Sequence, residues 1–345
     1  MKLIPDLFHP SCFTLLTAPV ASGKTRLVVE FYREQDFKII YLSPLRALAN
    51  EVYSNLKKFG EKNIYLAGGE TPLDECMEKF MSSQKSFLIT TAELLSDEFI
   101  EELSVQNQKV IFVIDEFHLF YYWGHGFRPV LHEKLLAILN FYFPVLAVTA
   151  TMDEVVMNSM KMDLAFYQDF WIHLDYGNHK LHREPKELVS FKGLKPHYIQ
   201  KAFWREIRQK KDSEILLYFC AYRSQVDEFV DRARRLGFKA IGCVGGEVET
   251  FLKQVEESEG RIDCIFSTTT LSHGVNLPEI KKVFIDYEVK NYDFWLQMIG
   301  RGGRQGSEYQ VYTTDSFHTS KKDRLKQRAK IMLSDFIGVE IGNIW

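Results

Sequence analysis

A short apolar run, Cys12 to Thr17, empties into Ala18-Pro19-Val20-Ala21-Ser22-Gly23-Lys24-Thr25, and an apolar, helix-forming stretch follows from Arg26 to Tyr32. Strand, glycine-bearing loop and helix in that order define one unit of a parallel sheet covered by helices, and the loop is a phosphate-binding loop in its required context. Backbone N–H groups and the positive end of the new helix wrap the phosphates, and Lys24 reaches the β and γ groups. Thr25 would then hold Mg²⁺. The loop departs from the generic pattern at Ala18, where the first glycine is expected, and at Ala21, whose methyl could crowd a nucleotide.

The same alternation runs through the chain. Apolar runs at Lys38 to Leu42, Ser86 to Thr91, Val110 to Asp115 and Val145 to Thr151 complete a first set of strands. Glu214 to Ala221, Lys239 to Val244, Ile262 to Thr268, Lys281 to Tyr287 and Tyr309 to Thr314 form a second. Polar residues from Asp175 to Lys186, with Gly177, Asn178 and Pro185, read as the linker between them. A chain of 345 residues, 46% hydrophobic, holds material for two cores. Residues 1–178 are expected to form a first domain that binds the nucleotide, 179–318 a second, and 319–345 a helical tail. The basic stretch Lys321 to Ser334 in that tail is more often a solvated helix face than a nucleic-acid contact.

A net charge of −3 excludes a global basic field. Five cysteines, Cys12, Cys76, Cys220, Cys243 and Cys264, have no paired spacing, which argues against a zinc site or a disulfide framework. With no secretory leader and no apolar run of membrane length, a soluble cytoplasmic chain with no membrane contact is expected.

The second chemical signal is Ile111-Phe112-Val113-Ile114-Asp115-Glu116-Phe117-His118, an apolar strand that delivers two adjacent carboxylates at its C-terminal end. Ligands bind at that end in open α/β sheets. Asp115 would bind Mg²⁺ through water, and Glu116 would orient and deprotonate the attacking water.

Joined to the phosphate loop, Asp-Glu-x-His resembles the DExH branch of superfamily-2 helicases. In that superfamily Ala is common at the position of Ala18. Tyr41-Leu42-Ser43-Pro44-Leu45-Arg46-Ala47-Leu48-Ala49-Asn50-Glu51 looks like the strand-binding element of the Ski-like helicases, and Ile89-Thr90-Thr91-Ala92-Glu93 is similar to the next. Val148-Thr149-Ala150-Thr151 matches the coupling motif. In the second half Leu216 to Cys220 leads to Arg223 and Ser224, and Thr268 to Pro278 and Gln297 to Arg304 follow in family order. The matches span residues 17 to 304.

The resemblance implies two tandem RecA-like domains, each a mostly parallel sheet with helices on both faces. It implies an ATP-driven helicase or translocase that moves on single-stranded or tailed DNA or RNA, 3′ to 5′. ATP with Mg²⁺ would be held by Ala18, Pro19, Ala21, Ser22, Gly23, Lys24 and Thr25, by Asp115, Glu116 and His118, and by Gly274, Asn276, Arg301 and Arg304. His118, Thr149 and Thr151 would couple hydrolysis to motion. A helix beginning near Asp293 would carry Gln297, Arg301 and Arg304 on one face, where the arginines bind the γ-phosphate as fingers and make hydrolysis require both domains. Ser43, Pro44, Arg46, Thr90, Thr91, Arg223, Ser224, Thr268 and Thr270 would grip phosphate and sugar oxygens and read no bases.

Several features fall outside this pattern. No glutamine-based adenine-reading element precedes the loop. His273 stands where a small residue is usual. Phe120, Tyr121, Tyr122, Trp123 and Phe127 suit core packing best, with a base-stacking platform or a partner surface as alternatives. Ski-like helicases append winged-helix and ratchet domains, so a monomer that unwinds weakly, or a protein partner supplying the missing part, is expected. The alternative is a motor subunit that gates a partner and unwinds nothing alone; a P-loop NTPase unrelated to nucleic acid is a third reading.

Overall fold

A computed structural model describes residues 9–337 apart from 69–70, 106–108, 169, 259–260, 273–274 and 318–319. The chain divides into two compact units, Met1–Lys180 and Leu181–Trp345.

In the first unit the strands are β1 (Cys12–Thr17), β2 (Lys38–Ser43), β3 (Ile64–Leu66), β4 (Phe87–Thr91), β5 (Val110–Asp115), β6 (Val145–Thr149) and β7 (Phe170–Asp175). They form one sheet in the order β3-β4-β2-β5-β6-β1-β7, with every described pair parallel. The helices are α1 (Lys24–Glu34), α2 (Arg46–Lys58), α3 (Leu73–Ser82), α4 (Asp97–Val105), α5 (His118–Tyr122), α6 (Val130–Asn140) and α7 (Glu154–Tyr167). Successive side chains of a strand point to opposite faces. Phe13, Leu15, Ile40, Leu42, Phe112 and Ile114 therefore pack under α3 to α7. Leu16, Ile39, Tyr41, Ile111 and Val113 pack on the other face against α1 and α2. Burial on both faces is why these strands read as unbroken apolar runs.

The second unit repeats the plan with β8 (Glu187–Ser190), β9 (Ile215–Phe219), β10 (Ala240–Cys243), β11 (Cys264–Ser267), β12 (Ile280–Ile285) and β13 (Gln310–Thr313) in the order β10-β11-β9-β12-β13-β8. Its helices are α8 (His197–Gln209), α9 (Arg223–Arg235), α10 (Val248–Glu257), α11 (Tyr292–Ile299) and α12 (Lys321–Ile337). Phe203, Tyr218, Phe229, Phe266 and Phe284 make an aromatic centre, Phe203 lying edge-on to Tyr218 at 4.9 Å. Helix α12 is tied to this unit. Ile331 enters the core, and Gln327 donates to Leu188 O and accepts from Ser190 N, both 2.9 Å, on strand β8.

One sequence expectation fails here. Gln297, Arg301 and Arg304 do not share a helix, because α11 stops at Ile299. The reason lies in Gly302 and Gly303. A side chain on Gly302 would meet the Tyr309 ring at 2.1 Å, and one on Gly303, at φ 62°, would meet Ser307 O at 2.6 Å. With no side chain at either position, the backbone turns tightly against Tyr309 directly after the helix ends.

Gly302→Ala should therefore destabilise the second unit by about 2–3 kcal/mol, as overpacking of a closed site does, read by urea unfolding of the full chain; a loss under about 0.5 kcal/mol would show that the turn can open. Ala21 sits at φ 64°, a left-handed conformation that costs an L-residue about 1–2 kcal/mol. Ala21→Gly relieves that strain against a gain in unfolded-chain entropy, so the first unit should be as stable or more stable by up to about 1 kcal/mol. A loss of stability in the same titration would contradict this.

Candidate nucleotide site and strand-contacting elements

The order of strands dictates which residues meet. Strand β6 lies between β5 and β1, so Asp115 pairs across to Val148 and Thr17 to Thr149. The 18–25 loop, Thr149 and the acidic pair thus leave the sheet side by side at its C-terminal edge, where such sheets bind ligands.

The loop is held at both ends. Ala18 N donates to Thr149 O (3.1 Å) and Val20 N to Lys180 O (3.0 Å). Asp175, at the end of β7, accepts from the Thr17 hydroxyl (3.0 Å) and from Gly177 N and Asn178 N, both 2.9 Å. Asn178 in turn pairs with both backbone groups of Met152 at 2.9 Å. Sequence reasoning placed this stretch in a linker, yet its Asp and Asn lock the loop to the strand ends; a short run of Asp, Gly and Asn after an apolar strand is the signal it carried. Helix α1 starts at Lys24 behind Gly23 at φ 85°, with no side-chain cap and no acidic residue in its first turn. Beside this end lies an open cavity of about 270 Å³ lined by Ser22, Gly23, Lys24, Arg26, Leu27 and Glu30. The Lys24 ammonium folds back on Pro19 O and Ala18 O at 3.3 and 3.4 Å. Ala21 is exposed and carries its methyl outward on the strained turn.

Asp115 is buried, 6% exposed. Burial and the neighbouring Glu116 carboxylate push its acid up to about 6, and the Tyr41 hydroxyl and Lys24 pull the other way. Its Oδ1 accepts from Glu116 N at 2.9 Å. Glu116 itself sits at φ 45°, a strained backbone for a non-glycine residue. That turn aims its carboxylate back toward His118, whose Nδ1 lies 3.7 Å from Glu116 Oε2 and 2.7 Å from Thr149 Oγ1. The Thr149 hydroxyl donates to Thr151 O (2.9 Å), so it accepts from the ring and His118 carries its proton on Nδ1. Tyr122, one turn after His118, donates to Asp153, which caps α7 through Val156 N at 2.8 Å.

The residues expected to contact a strand divide. Ser43 and Thr91 are paired at the ends of β2 and β4. Ser43 and Thr90 are buried and give their hydroxyls to Leu45 O and Thr91 O, and Pro44 is buried with them. Both hydroxyl protons are thus engaged by carbonyls of the first unit. Arg46 is exposed at the start of α2, donating to Gly68 O. A residue missed from sequence joins this place: Arg128 donates to Pro44 O at 2.5 Å and twice to Glu93, and its guanidinium lies 5.6 Å from the Trp123 ring. The aromatic segment splits accordingly. Phe120 and Tyr121 are core, whereas Phe127 is 71% exposed, 5.5 Å from Trp123.

In the second unit Arg223, Thr268 and Thr270 converge. The Thr268 and Thr270 hydroxyls are 2.9 Å apart, and Arg223 donates to Gly245 O within van der Waals reach of the same spot. Ser224 and Asn276 are exposed, and Gly274 and His273 lie outside the described residues. Gln297 and Arg301 are buried, 2% and 1% exposed. Arg301 donates to Val275 O, which anchors the Thr268–Pro278 loop, and Arg304 is half-buried with its Nε 3.3 Å from Gly300 O.

No described helix is long and apolar enough to cross a membrane, and no group of three or more His, Cys, Asp or Glu among the described residues is arranged to hold a metal ion. The five cysteines are free and buried.

Comparison with known proteins agrees with this geometry. Residues 2–159 match the DEAD/DEAH box helicase model and residues 195–306 the helicase conserved C-terminal domain model. The RecQ-like DNA helicase BLM of Xenopus laevis is 25% identical over 306 residues, covering 81% of this chain and 21% of that protein. The ATP-dependent DNA helicase RecQ of Bacillus subtilis is 25% identical over 275 residues, covering 77% of this chain and 45% of that one. The chain therefore spans less than half the length of these relatives. Dbp5 of S. cerevisiae, solved bound to RNA and ADP BeF3, superposes with a TM-score of 0.66 at 14% identity over 96% of this chain and 85% of that one, which shows the fold of two RecA-like domains. With both helicase domain models matched in order along it, the chain belongs to the superfamily-2 helicases.

Proposed function

We propose that this protein is an ATP-hydrolysing motor that moves along single-stranded nucleic acid, 3′ to 5′. The observation that carries the proposal is the arrangement at one sheet edge: a phosphate loop with Lys24 and Thr25, a buried Asp115, and Glu116 lying 3.7 Å from the His118 ring that bonds Thr149. Thr25 and Asp115 offer oxygen donors only, the set that a hard divalent cation prefers, so Mg²⁺ fits there. When bound, the ion would neutralise charge on the β and γ phosphates. Lys24 leaves the Pro19 and Ala18 carbonyls for the phosphates, and Glu116 holds and deprotonates the attacking water.

The His118–Thr149 bond makes the state of Glu116 felt at Thr151 and, through Met152 and Asp153, at the start of α7. That path is the coupling we assign. Arg304, the more exposed of the two arginines, is assigned to the γ-phosphate, with Arg301 and Gln297 fixing the turn that carries it. Arg46 and Thr91 on the first unit, with Arg223, Ser224, Thr268 and Thr270 on the second, are assigned to backbone phosphates, which makes binding independent of sequence. Trp123 and Phe127, clamped by Arg128 beside Pro44 and Glu93, offer a ring face to a base at the same place.

Two branches of the superfamily compete for the chain. The Tyr41–Glu51 stretch supports a Ski-like motor, and the relatives named RecQ support a DNA helicase. We favour DNA as the polymer on those names. The five free, buried cysteines fit a reducing compartment such as the cytoplasm.

The deciding experiment is the ATPase rate with single-stranded DNA, with single-stranded RNA and with neither. Stimulation by DNA is expected, and equal rates in all three would sink the motor reading. Strand displacement on a 3′-tailed duplex then separates a helicase from a subunit that gates a partner. Lys24→Ala and Glu116→Gln should both abolish turnover, but only Lys24→Ala should lose nucleotide binding; equal loss in both would contradict the roles. Arg304→Ala should lower kcat by about 10³ or more with nucleotide binding largely kept, and a drop of under tenfold would remove it from the γ-phosphate.

A further inference from the structure

We propose that the outer side of helix α12, with α8 on the same face of the second sheet, is a docking surface for the phosphates of a DNA duplex, separate from the residues assigned above to a single strand. This rests on the motor reading and extends it to the paired part of a tailed substrate.

Charge is divided unevenly along the chain. Of its 43 Lys and Arg and 46 Asp and Glu, residues 181–345 hold 27 and 23, so a chain of net charge −3 carries a positive second unit. The excess gathers on α12. Its described side chains, from Lys321 to Leu333, include six Lys or Arg and one acid, Asp323. That acid is occupied at the helix start: its carboxylate accepts from the Ser320 hydroxyl, and its amide donates back to Ser320 Oγ at 3.1 Å. Two acids of neighbouring elements are engaged as well, Glu288 by Lys192 at 2.9 Å and the buried Glu206 by Lys282.

A basic helix by itself is more often solvated than bound. Here packing turns it into a fixed surface. Gln327 and Ile331 face inward, onto β8 and into the core, and Arg328 donates to Gly193 O at 3.3 Å. The helical period then sets the opposite side. Lys322 and Lys326, both exposed, and the half-buried Lys330 follow one another at four-residue steps along one ridge, with the exposed Lys321 beside them. The ridge is about 12 Å long, a length over which a duplex presents about seven phosphate charges. Lys201 and Arg208 of α8, a helix packed into the same core cluster, are exposed too.

Two features select a duplex. No aromatic residue lies between Lys321 and Leu333, so this side offers no ring on which an unpaired base could stack. A duplex hides its bases and needs only cations facing its phosphates. The second feature is place. Strand β8, to which α12 is bonded, lies four positions along the sheet from β11, the strand that leads to Thr268 and Thr270, about 19 Å at the usual strand spacing. The two surfaces therefore meet different stretches of one substrate.

The test combines Lys321→Ala, Lys322→Ala and Lys326→Ala in the full chain, with the three Lys→Arg changes as a control. Affinities for a fluorescent 3′-tailed DNA duplex and for its longer strand alone are measured over a range of salt, beside the ATPase rate at saturating single strand. The Ala variant should bind the tailed duplex about 10-fold or more weakly at low salt, with a log–log salt slope shallower by about three. Its single-strand affinity and ATPase rate should match the wild type, and the Arg variant should match it throughout. Unchanged duplex affinity and slope, or an equal loss on the single strand, would overturn the proposal. Leu325, 65% exposed on the same helix, is where a protein partner would sit instead, so Leu325→Ser should leave duplex affinity intact; a loss as large as that of the Ala variant would rule out a surface that works by charge. A wild-type chain that binds neither probe would overturn the motor reading itself, whereas one that binds the single strand and ignores the lysines overturns this proposal alone.

Discussion

A carboxylate held away from water must be matched by donors or give up its charge, and Asp115 sets that condition for everything around it. Burial and Glu116 press it toward the neutral acid. The opposing groups are few and each belongs to a different element: the Tyr41 hydroxyl from β2, the ammonium of Lys24 from the phosphate loop, and the Glu116 amide from its own strand end. None of these can move without changing the balance at the carboxylate. A cation delivered with a nucleotide would add the strongest term of all, because electrostatic attraction grows as the local dielectric falls. The site is thus built to favour an arriving positive charge.

The same economy of elements explains how chemistry at Glu116 reaches the rest of the first unit. Strand β6 is the only spacer between β5 and β1. Its terminal Thr149 touches the phosphate loop through Ala18 N on one side and His118 on the other. Past Thr149 the chain passes Met152, pinned by Asn178, and reaches Asp153, bonded to Tyr122. A change at the acidic pair therefore has a short route, by a 3.7 Å charge contact to His118 and hydrogen bonds beyond it, toward α7 and the 175–180 segment.

What the sequence disclosed follows from where each residue sits. Strands buried on both faces, such as β1, β2 and β5, were legible as continuous apolar runs. The three strands that were missed, Ile64–Leu66, Phe170–Asp175 and Glu187–Ser190, are all sheet edges. An edge strand has one neighbour, and the first two are only partly buried, so they lack the apolar run that marks a central strand. The acidic pair and the phosphate loop were legible because their chemistry needs fixed residues at fixed spacing. Spacing misled at Gln297, Arg301 and Arg304, since a 3.6-residue period has meaning only while the helix lasts, and Gly302 under Tyr309 ends it. Ser43 and Thr90 read as strand contacts by residue type, but both hydroxyls are bound to nearby carbonyls. Arg128 was invisible as a site residue because its partners are distant in sequence; only the fold brings Pro44 to Arg128.

Two of the strained backbone positions fall at the site. Among the described residues, non-glycine positions with positive φ include Ala21 in the phosphate loop and Glu116 at the acidic pair, both within a few residues of the proposed phosphates. Each costs on the order of 1–3 kcal/mol and persists only where surrounding bonds overdetermine it. Around Glu116 those bonds are visible: its amide to Asp115, its carbonyl to Leu119 N at 2.8 Å, and Phe117 N to Val148 O at 3.1 Å. An extended or helical Glu116 would break this set and turn its carboxylate away from His118. The strain is therefore what keeps the Glu116 carboxylate and the His118 ring within 3.7 Å of each other, and the doubly covered sheet beneath is what makes that strain tolerable.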